Sequence, residues 1–289
     1  MDLRQLRYFV AVAEELHFGR AAERVGIAQP PLTQQIQKLE AGLGCQLLVR
    51  GRKTALTPAG DVLLEQARRI LAQSEDAVEA TRRAARGETG QLTVGVPPSV
   101  MLSSLPAAIR TYRRLYPDVR FSLRELSTSA IENALSAGEI DVGFLREVSP
   151  LNSEVAFEEG VVAALPSAHR LAKAKDLRIG ALRSEPFVFF PRRLGPAFYD
   201  RLVGFCGDAG FLPEVVQEAT QWHSVICLVE AGMGISLAPA CVQRFKWSGV
   251  VYRPLRGLRT RVSAAWGGND SATVAAFLRV VRERGASLR

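Results

Sequence analysis

Two groups of side chains near the N-terminus have the chemistry of nucleic-acid recognition. The first group lies on the exposed face of a short predicted helix and combines amides, a hydroxyl and prolines: Gln29, Pro30, Pro31, Thr33, Gln34 and Gln37. The second is a basic turn around Gly51 that carries Arg50, Arg52 and Lys53. Amide side chains can hydrogen-bond to base edges, and cations hold phosphates. We therefore expect base contacts from the helix and salt-sensitive phosphate contacts from the turn, with a merely solvated turn as the alternative.

Further candidates lie beyond residue 90, where predicted strands end and helices begin. Ser99 and Thr128 each lie in the turn between a strand and a helix, and the free amides of a helix N-terminus favour an anion. An ordinary helix cap, which serine and threonine also provide, is the alternative. The other candidates are arginines suited to a carboxylate and rings suited to an apolar ligand: Phe144, Arg146, Arg192, Arg193 and Trp222. Solvated arginines and rim packing of Trp222 are the competing interpretations.

The motifs of the common enzyme classes are absent from the sequence. It contains no G-x-S-x-G nucleophile turn, no G-x-x-x-x-G-K phosphate loop and no cluster of carboxylates or histidines with metal spacing. We therefore expect no metal site and no bound cofactor, and an α/β enzyme is only an alternative. The four cysteines lack a C-x-x-C pair and are expected to be small core residues: Cys45, Cys206, Cys227 and Cys241.

Composition places the chain among soluble globular proteins with two domains or three small lobes. The 289 residues are 47% hydrophobic and 23% charged. No apolar run has the length of a membrane helix and no secretory signal is recognised, so we expect a cytoplasmic protein. The net charge is +8, but the first ninety residues hold 13 basic and 11 acidic side chains. Net charge is therefore weak support for nucleic-acid binding.

Apolar periodicity predicts three helices in the first 44 residues, over 2–16, 18–25 and from 29 to near Gly42. Gly26 provides the tight turn between the second and third helices. Two short strands, 47–50 and 55–57, flank the basic turn. Short helices joined by a glycine turn are typical of a helix-turn-helix, and the corner of an ordinary helical bundle is the alternative.

A longer helix is predicted from Pro58 to about Arg86. Small and apolar residues recur along it in alternating steps of four and three: Leu63, Ala67, Ile70, Ser74, Ala77, Thr81 and Ala84. Such a heptad seam favours self-association. Residues 87–90 indicate a hinge, beyond which strands and helices alternate, as is typical of parallel sheets flanked by helices.

These segments together resemble the LysR-type transcriptional regulators. The matching segments are LRQLRYF at 3–9, AAER at 21–24, QPPLTQQI at 29–36, LE at 39–40, LG at 43–44, LLVR at 47–50 and LTPAG at 56–60. The resemblance extends over the whole chain. In addition, AQPPL at 28–32 resembles the subgroup that controls the breakdown of aromatic compounds.

The resemblance implies an α+β multi-domain fold with three parts. Residues 1–58 would form a winged helix-turn-helix, 59–87 a linker helix for dimerisation, and 91–289 a two-lobed α/β effector domain similar to periplasmic binding proteins. Lobe I would comprise 91–160 and 267–289, and lobe II would comprise 161–266. The crossovers between the lobes are expected near Gly160 and near Ala265-Trp266.

The resemblance also implies a transcriptional activator that binds partly palindromic, double-stranded promoter DNA as a homodimer or homotetramer. RNA polymerase would be a further partner, and no membrane is involved. The gating effector would be a carboxylate such as an aromatic-catabolism intermediate, held by Ser99 and Thr128. Family members often carry arginine where this chain has Gln34, so a preference for adenine is expected there. A redox-sensing regulator of the same family is the alternative.

Overall fold

The computed structural model describes residues 1–49, 51, 54–147, 151–268 and 271–286. They form two compact units, 1–83 and 84–289. The helices are α1 (Leu3–Glu15), α2 (Phe18–Val25), α3 (Gln29–Leu43), α4 (Pro58–Ala85), α5 (Leu105–Leu115), α6 (Thr128–Ser136), α7 (Pro196–Asp208), α8 (Trp222–Glu230) and α9 (Ala272–Ala286). The strands are β1 (Leu48–Val49), β2 (Ala55–Leu56), β3 (Gly90–Val96), β4 (Val119–Glu125), β5 (Val142–Arg146), β6 (Ser153–Pro166), β7 (Pro186–Phe189), β8 (Glu214–Glu218), β9 (Ser236–Pro239) and β10 (Val250–Trp266).

In the N-terminal unit, α1, α2 and α3 pack around one apolar core. Phe9, Leu32 and Ile36 are completely buried there, as their helical spacing predicts. Gly26 ends α2 in the left-handed conformation that glycine adopts without strain. Ala28 gives α3 no side-chain cap, and prolines occupy the first turn instead. The predicted helix-turn-helix is confirmed, and β1 pairs with β2 beside it.

The heptad seam of α4 is divided between two environments. Ala67 is completely buried in the core of the N-terminal unit, and Leu63 and Ile70 pack against that core. Further along the helix, Ala77, Thr81 and Ala84 are exposed. The first half of the seam therefore stabilises this unit, and self-association through the second half stays a prediction.

The second unit is built on a six-stranded sheet with the order β4-β3-β5-β10-β6-β9. β3 is parallel to β4 and β5, as the alternation of strands and helices predicts. A separate parallel pair is formed by β7 and β8. Phe277 of α9 is buried against Tyr112 and Phe144, so the last helix packs on lobe I.

The connection between the lobes differs from the prediction. β6 and β10 are long antiparallel strands that run through both lobes, and Gly160 lies opposite Arg259 where their register shifts. β6 therefore passes between the lobes near Gly160. On β10, however, residues 262–266 already pair with β5 of lobe I, so the expected return near Ala265-Trp266 is wrong. β10 continues past Gly257, which adopts a left-handed conformation where the register with β6 shifts.

Candidate functional site

A cavity of about 220 Å³ lies between the two lobes. Lobe I contributes Ser99, Glu125, Thr128 and Arg146, and lobe II contributes a set of aromatic and polar residues: Phe190, Phe198, Thr220, Gln221 and Trp222. The volume is below the range of about 300–1,000 Å³ for pockets that hold drug-sized molecules. The cavity therefore suits a compact ligand with one apolar side.

Three helices begin at this cavity. Thr128 opens α6, Gly195 precedes the first residue of α7, and Gln221 precedes α8. The first amides of a helix lack partners within the helix and carry a partial positive charge. Neither Gly195 nor Gln221 caps its helix with a side chain. The convergence of three helix N-termini on one space favours an anion there.

Arg146 is the buried cation of the cavity, with 3% of its side chain exposed. Its Nη1 donates to Glu159 Oε1 at 2.7 Å, its Nε to Ser99 Oγ at 2.9 Å, and its Nη2 to Cys241 Sγ at 3.4 Å. A guanidinium has five N–H groups, so two remain for a ligand. Phe198 covers one face of the guanidinium, with its centroid 4.9 Å from Arg146 Cζ.

The charges around Arg146 are fixed by its surroundings. Burial disfavours the charge, but attraction from the Glu159 carboxylate outweighs burial and raises the pKa of Arg146 above its ordinary value. Burial also raises the pKa of Cys241 to about 12, so its thiol is protonated and donates to the Ser99 carbonyl oxygen at 3.3 Å. Arg146 is therefore a permanent cation whose charge Glu159 neutralises.

The hydroxyls of Ser99 and Thr128 complete the polar end. Ser99 Oγ accepts from Arg146 and keeps its own hydrogen for a ligand. Thr128 is only 8% exposed, and its Oγ1 has no hydrogen-bond partner among the described residues. Trp222 also lines the cavity, in tilted contact with Phe190 at 5.7 Å between ring centroids. Four of the expected effector residues are therefore brought together.

Phe144 does not reach the cavity. It lies two residues before Arg146 on the same face of β5, which places it deeper in lobe I. Its ring is completely buried and meets the Phe277 ring edge-on at 6.2 Å. The expectation that Phe144 contacts a ligand is corrected, because α9 covers that part of the strand.

Arg192 and Arg193 also lie outside the lining of the cavity. The exposed Arg192 guanidinium forks onto the Asp200 carboxylate, with distances of 2.7 and 2.6 Å. Arg193 is exposed, and its carbonyl oxygen accepts from Ser129 Oγ at 3.0 Å. The 3-10 turn at Arg192–Leu194 brings Leu194 to the cavity in their place. Arg192 therefore pairs with a carboxylate of the chain itself, and the expectation that it holds a ligand is corrected.

Several lining or supporting residues were missed by sequence reasoning. Phe190 and Phe198 form a stacked pair, with 5.4 Å between centroids and 12° between planes. Phe190 directly follows β7, and its place at a strand end was a usable signal. Glu159 and Cys241 reach Arg146 from distant segments, and Cys241 N donates to Glu159 Oε2 at 3.0 Å. No local pattern indicates those contacts.

The DNA-contact candidates lie on one face of α3. Gln29, Pro30, Pro31, Gln34 and Gln37 are exposed, and Thr33 is half-buried with its hydroxyl donating to the Gln29 carbonyl at 3.1 Å. All six border one shallow surface. The wing candidates Arg50, Arg52 and Lys53 lie outside the described residues.

The cysteines and histidines form no further site in the described part of the chain. All four cysteines are described and none is in a disulfide; Cys206 and Cys241 are buried, whereas Cys45 and Cys227 are exposed, contrary to expectation. The described residues contain no group of three histidine, cysteine or acidic side chains able to hold a metal ion. No described helix is both long and apolar enough to span a membrane.

Comparison with known proteins defines the class. A model described as LysR substrate binding domain matches residues 85–286, and one described as bacterial regulatory helix-turn-helix protein, lysR family, matches residues 3–61. The chain is 40% identical over 270 residues to the HTH-type transcriptional regulator AlsR of Bacillus subtilis, covering 92% of this chain and 89% of AlsR. It belongs to the LysR family of transcriptional regulators.

Solved structures agree over nearly the whole chain. The crystal structure of CbnR, a LysR family transcriptional regulator, superimposes with a TM-score of 0.82 at 31% identity, covering 98% of this chain and all of CbnR. Full-length CbnR complexed with its target DNA gives 0.78 at 31% identity, covering 99% of this chain and 100% of that one. The protein is thus a DNA-binding transcriptional regulator with an effector-binding domain, and not an enzyme.

Proposed function

We propose that this regulator is gated by a small carboxylate that binds in the cavity between the two lobes. The observation that carries the proposal is the convergence of three helix N-termini and two spare Arg146 N–H groups on one space of about 220 Å³. A carboxylate is a compact acceptor for these donors and for the Ser99 and Thr128 hydroxyls.

The aromatic side of the cavity favours an acid that carries an apolar group. Phe190, Phe198 and Trp222 provide a continuous aromatic wall. Aromatic rings prefer stacked or edge-to-face neighbours, so a planar ring would pack well against them. This agrees with the resemblance of residues 28–32 to regulators of aromatic-compound breakdown. We therefore place aromatic acids and similar small acids first in the ligand class.

On DNA, α3 would read the major groove of partly palindromic, double-stranded promoter sites in the cytoplasm. A homodimer or homotetramer would present paired α3 helices to two half-sites about one helical turn apart. Closure of the lobes on the acid would change the geometry of the assembly and the bending of the DNA, and so activate transcription by RNA polymerase.

Thermal unfolding of the full chain with a panel of acids tests the effector. Benzoate, muconate and simple keto acids are added to the wild type, to Ser99→Ala and to the control Ser122→Ala, an exposed serine on β4 outside the cavity. A ligand that binds only the native state raises Tm in a saturable way. We expect this with at least one acid in the wild type and the control, and not in Ser99→Ala. No shift with any acid would remove the carboxylate from the proposal.

A further inference from the structure

We propose that Glu125 makes this cavity selective for monocarboxylates over dicarboxylates. The inference rests on the proposed carboxylate-gated function and names the class of acid more closely. Glu125 is the last residue of β4, and it lines both the cavity and the adjoining recess that contains His223 and Phe245. Five residues line both spaces, and Glu125 is the one with a carboxylate.

The cavity and the recess are lined by few positive side chains. Among the described residues that line them, Arg146 is the one arginine or lysine side chain, and Glu159 already pairs with it at 2.7 Å. Glu159 itself does not line either space. The cavity and recess therefore hold one neutralised cation and one further carboxylate, that of Glu125.

Glu125 keeps its charge unpaired. No described residue forms a hydrogen bond or an ion pair with its side chain, and the adjacent Arg124 is engaged by Glu139 at 3.0 Å. The side chain is exposed, so water solvates it in the absence of a ligand. A ligand that fills the cavity would replace part of that water and meet the negative charge directly.

The size of the cavity brings the charges together. Its volume of about 220 Å³ is below the range of about 300–1,000 Å³ that is common for ligand pockets. Glu125 lines the same cavity as Ser99, Thr128 and Arg146, so a second carboxylate that stays inside the cavity lies near its charge. Two carboxylates at close range repel each other, most strongly where water is displaced. A neutral far end, such as a ring or an alkyl group, meets no such repulsion.

The test uses pairs of acids that share a carbon skeleton and differ by one carboxylate: butyrate with succinate, and 4-methylbenzoate with terephthalate. Their affinities for the full chain are measured by titration calorimetry. The variants are Glu125→Gln, which keeps the shape and removes the charge, and Glu214→Gln as control. Glu214 is an exposed carboxylate at the start of β8 that lines neither space and has no ion pair among the described residues.

We expect the wild type and Glu214→Gln to bind each monoacid at least about tenfold more tightly than its diacid, a difference of about 1.4 kcal/mol. In Glu125→Gln this ratio should fall at least about fivefold because the diacid binds more tightly. Glu125→Lys should reverse the preference, which keeps the inference testable if the glutamine variant folds poorly. His223→Asn, which changes the recess and keeps Glu125, should retain the wild-type ratio.

The outcomes separate the two proposals. If monoacids bind but the ratio is the same in the wild type and Glu125→Gln, the selectivity of Glu125 is overturned and the carboxylate effector stands. If diacids bind the wild type as tightly as monoacids, the same conclusion follows. If no acid of either kind binds the wild type, both the selectivity and the proposed function are overturned.

Discussion

At the scale of single residues, the site depends on a buried ion pair. Arg146 is 3% exposed and Glu159 11%, and Ser99 and Cys241 occupy further hydrogen-bonding positions around them. Removing one member of such a pair leaves the other as an uncompensated buried charge, whereas removing both does not. The pair therefore couples the stability of the effector unit to the polarity of its cavity.

Arg146→Met should lower the free energy of unfolding of this unit by about 3 kcal/mol or more, because Glu159 loses its partner. The double variant Arg146→Met/Glu159→Gln should recover most of that loss but not acid binding. Urea unfolding followed by tryptophan fluorescence checks this, since all three tryptophans lie in residues 84–289: Trp222, Trp247 and Trp266. Equal stability of wild type and Arg146→Met would contradict a structural role for the pair.

The thiols provide a second prediction at this scale. Burial raises the pKa of Cys206 to about 11 and that of Cys241 to about 12. A raised thiol pKa leaves the unreactive protonated form at pH 8, since the thiolate is the nucleophile. Iodoacetamide at pH 8 should therefore modify only Cys45 and Cys227 in the folded protein, and all four cysteines in denaturant, as counted by intact mass. Rapid labelling of Cys206 or Cys241 in the folded chain would favour the redox-sensing alternative.

At the scale of elements, close packing between the start of α4 and the β1–β2 hairpin holds the N-terminal unit together. A Cβ at Gly60 would lie 2.1 Å from the Leu47 carbonyl oxygen and 2.9 Å from Leu56 Cδ2. Only glycine fits there, because one of the obstructing atoms belongs to the backbone. The helix can begin at Pro58 and cross the hairpin closely for this reason.

Gly60→Ala should destabilise the N-terminal unit by about 1–3 kcal/mol, the usual cost of overpacking. Hydrogen exchange of the full chain should show lost protection in peptides within residues 1–83. The matched control is Gly42→Ala on α3, where a Cβ meets nothing within 4 Å. That variant should stabilise the helix by about 0.5–1 kcal/mol. Unchanged protection in Gly60→Ala would show that the backbone around Leu47 shifts to accept the added Cβ at little cost in stability.

The exposed face of α3 carries a prediction on DNA. Gln34→Ala should reduce discrimination at one base pair by about 1–3 kcal/mol, because a bidentate amide contact to a base is lost. Arg50→Ala, on the predicted wing, should weaken binding to all sequences and flatten its salt dependence. Binding measured on operator and random DNA over a range of salt distinguishes the two. Equal losses on both DNAs for Gln34→Ala would remove it from base readout.

At the scale of the whole molecule, the chain separates into units that carry different parts of the function. Residues 1–83 contain α3 and most of α4, and residues 84–289 contain both lobes and the cavity. The expected boundaries at residues 58 and 87 separate parts with different functions, and they remain a prediction. In the structure, much of the linker helix α4 belongs to the same compact unit as the helix-turn-helix, because Leu63, Ala67 and Ile70 pack on its core.

An acid in the cavity should therefore stabilise the second unit alone when no DNA is bound. At a hundred times its Kd, a ligand adds about 2.7 kcal/mol to the unit that binds it. Hydrogen exchange should slow around Ser99, Thr128 and Trp222 and stay unchanged within 1–83. Protection gained mainly in the N-terminal unit would place the ligand somewhere other than this cavity.

Much of the architecture is determined by local sequence. The apolar spacing of α1 and α3, the glycine turn between α2 and α3, and the alternation of β3, α5, β4 and α6 are patterns within short segments. Local conformational preference and the burial of one face of each element are enough to specify them. The same reasoning located Ser99 and Thr128, since strand ends and helix starts are local features.

The tertiary structure alone decided which side chains meet in the cavity. Cys241 contacts Arg146 across 95 residues of sequence, and Glu159 reaches it from the long strand β6, which β10 separates from β5 in the sheet. These contacts depend on strand register and on where β6 and β10 cross between the lobes, which no periodicity encodes. For the same reason Arg192 was predicted for the cavity but pairs with Asp200, and Phe144 was expected there but is covered by α9. Sequence pattern determined the elements, and long-range packing determined the site.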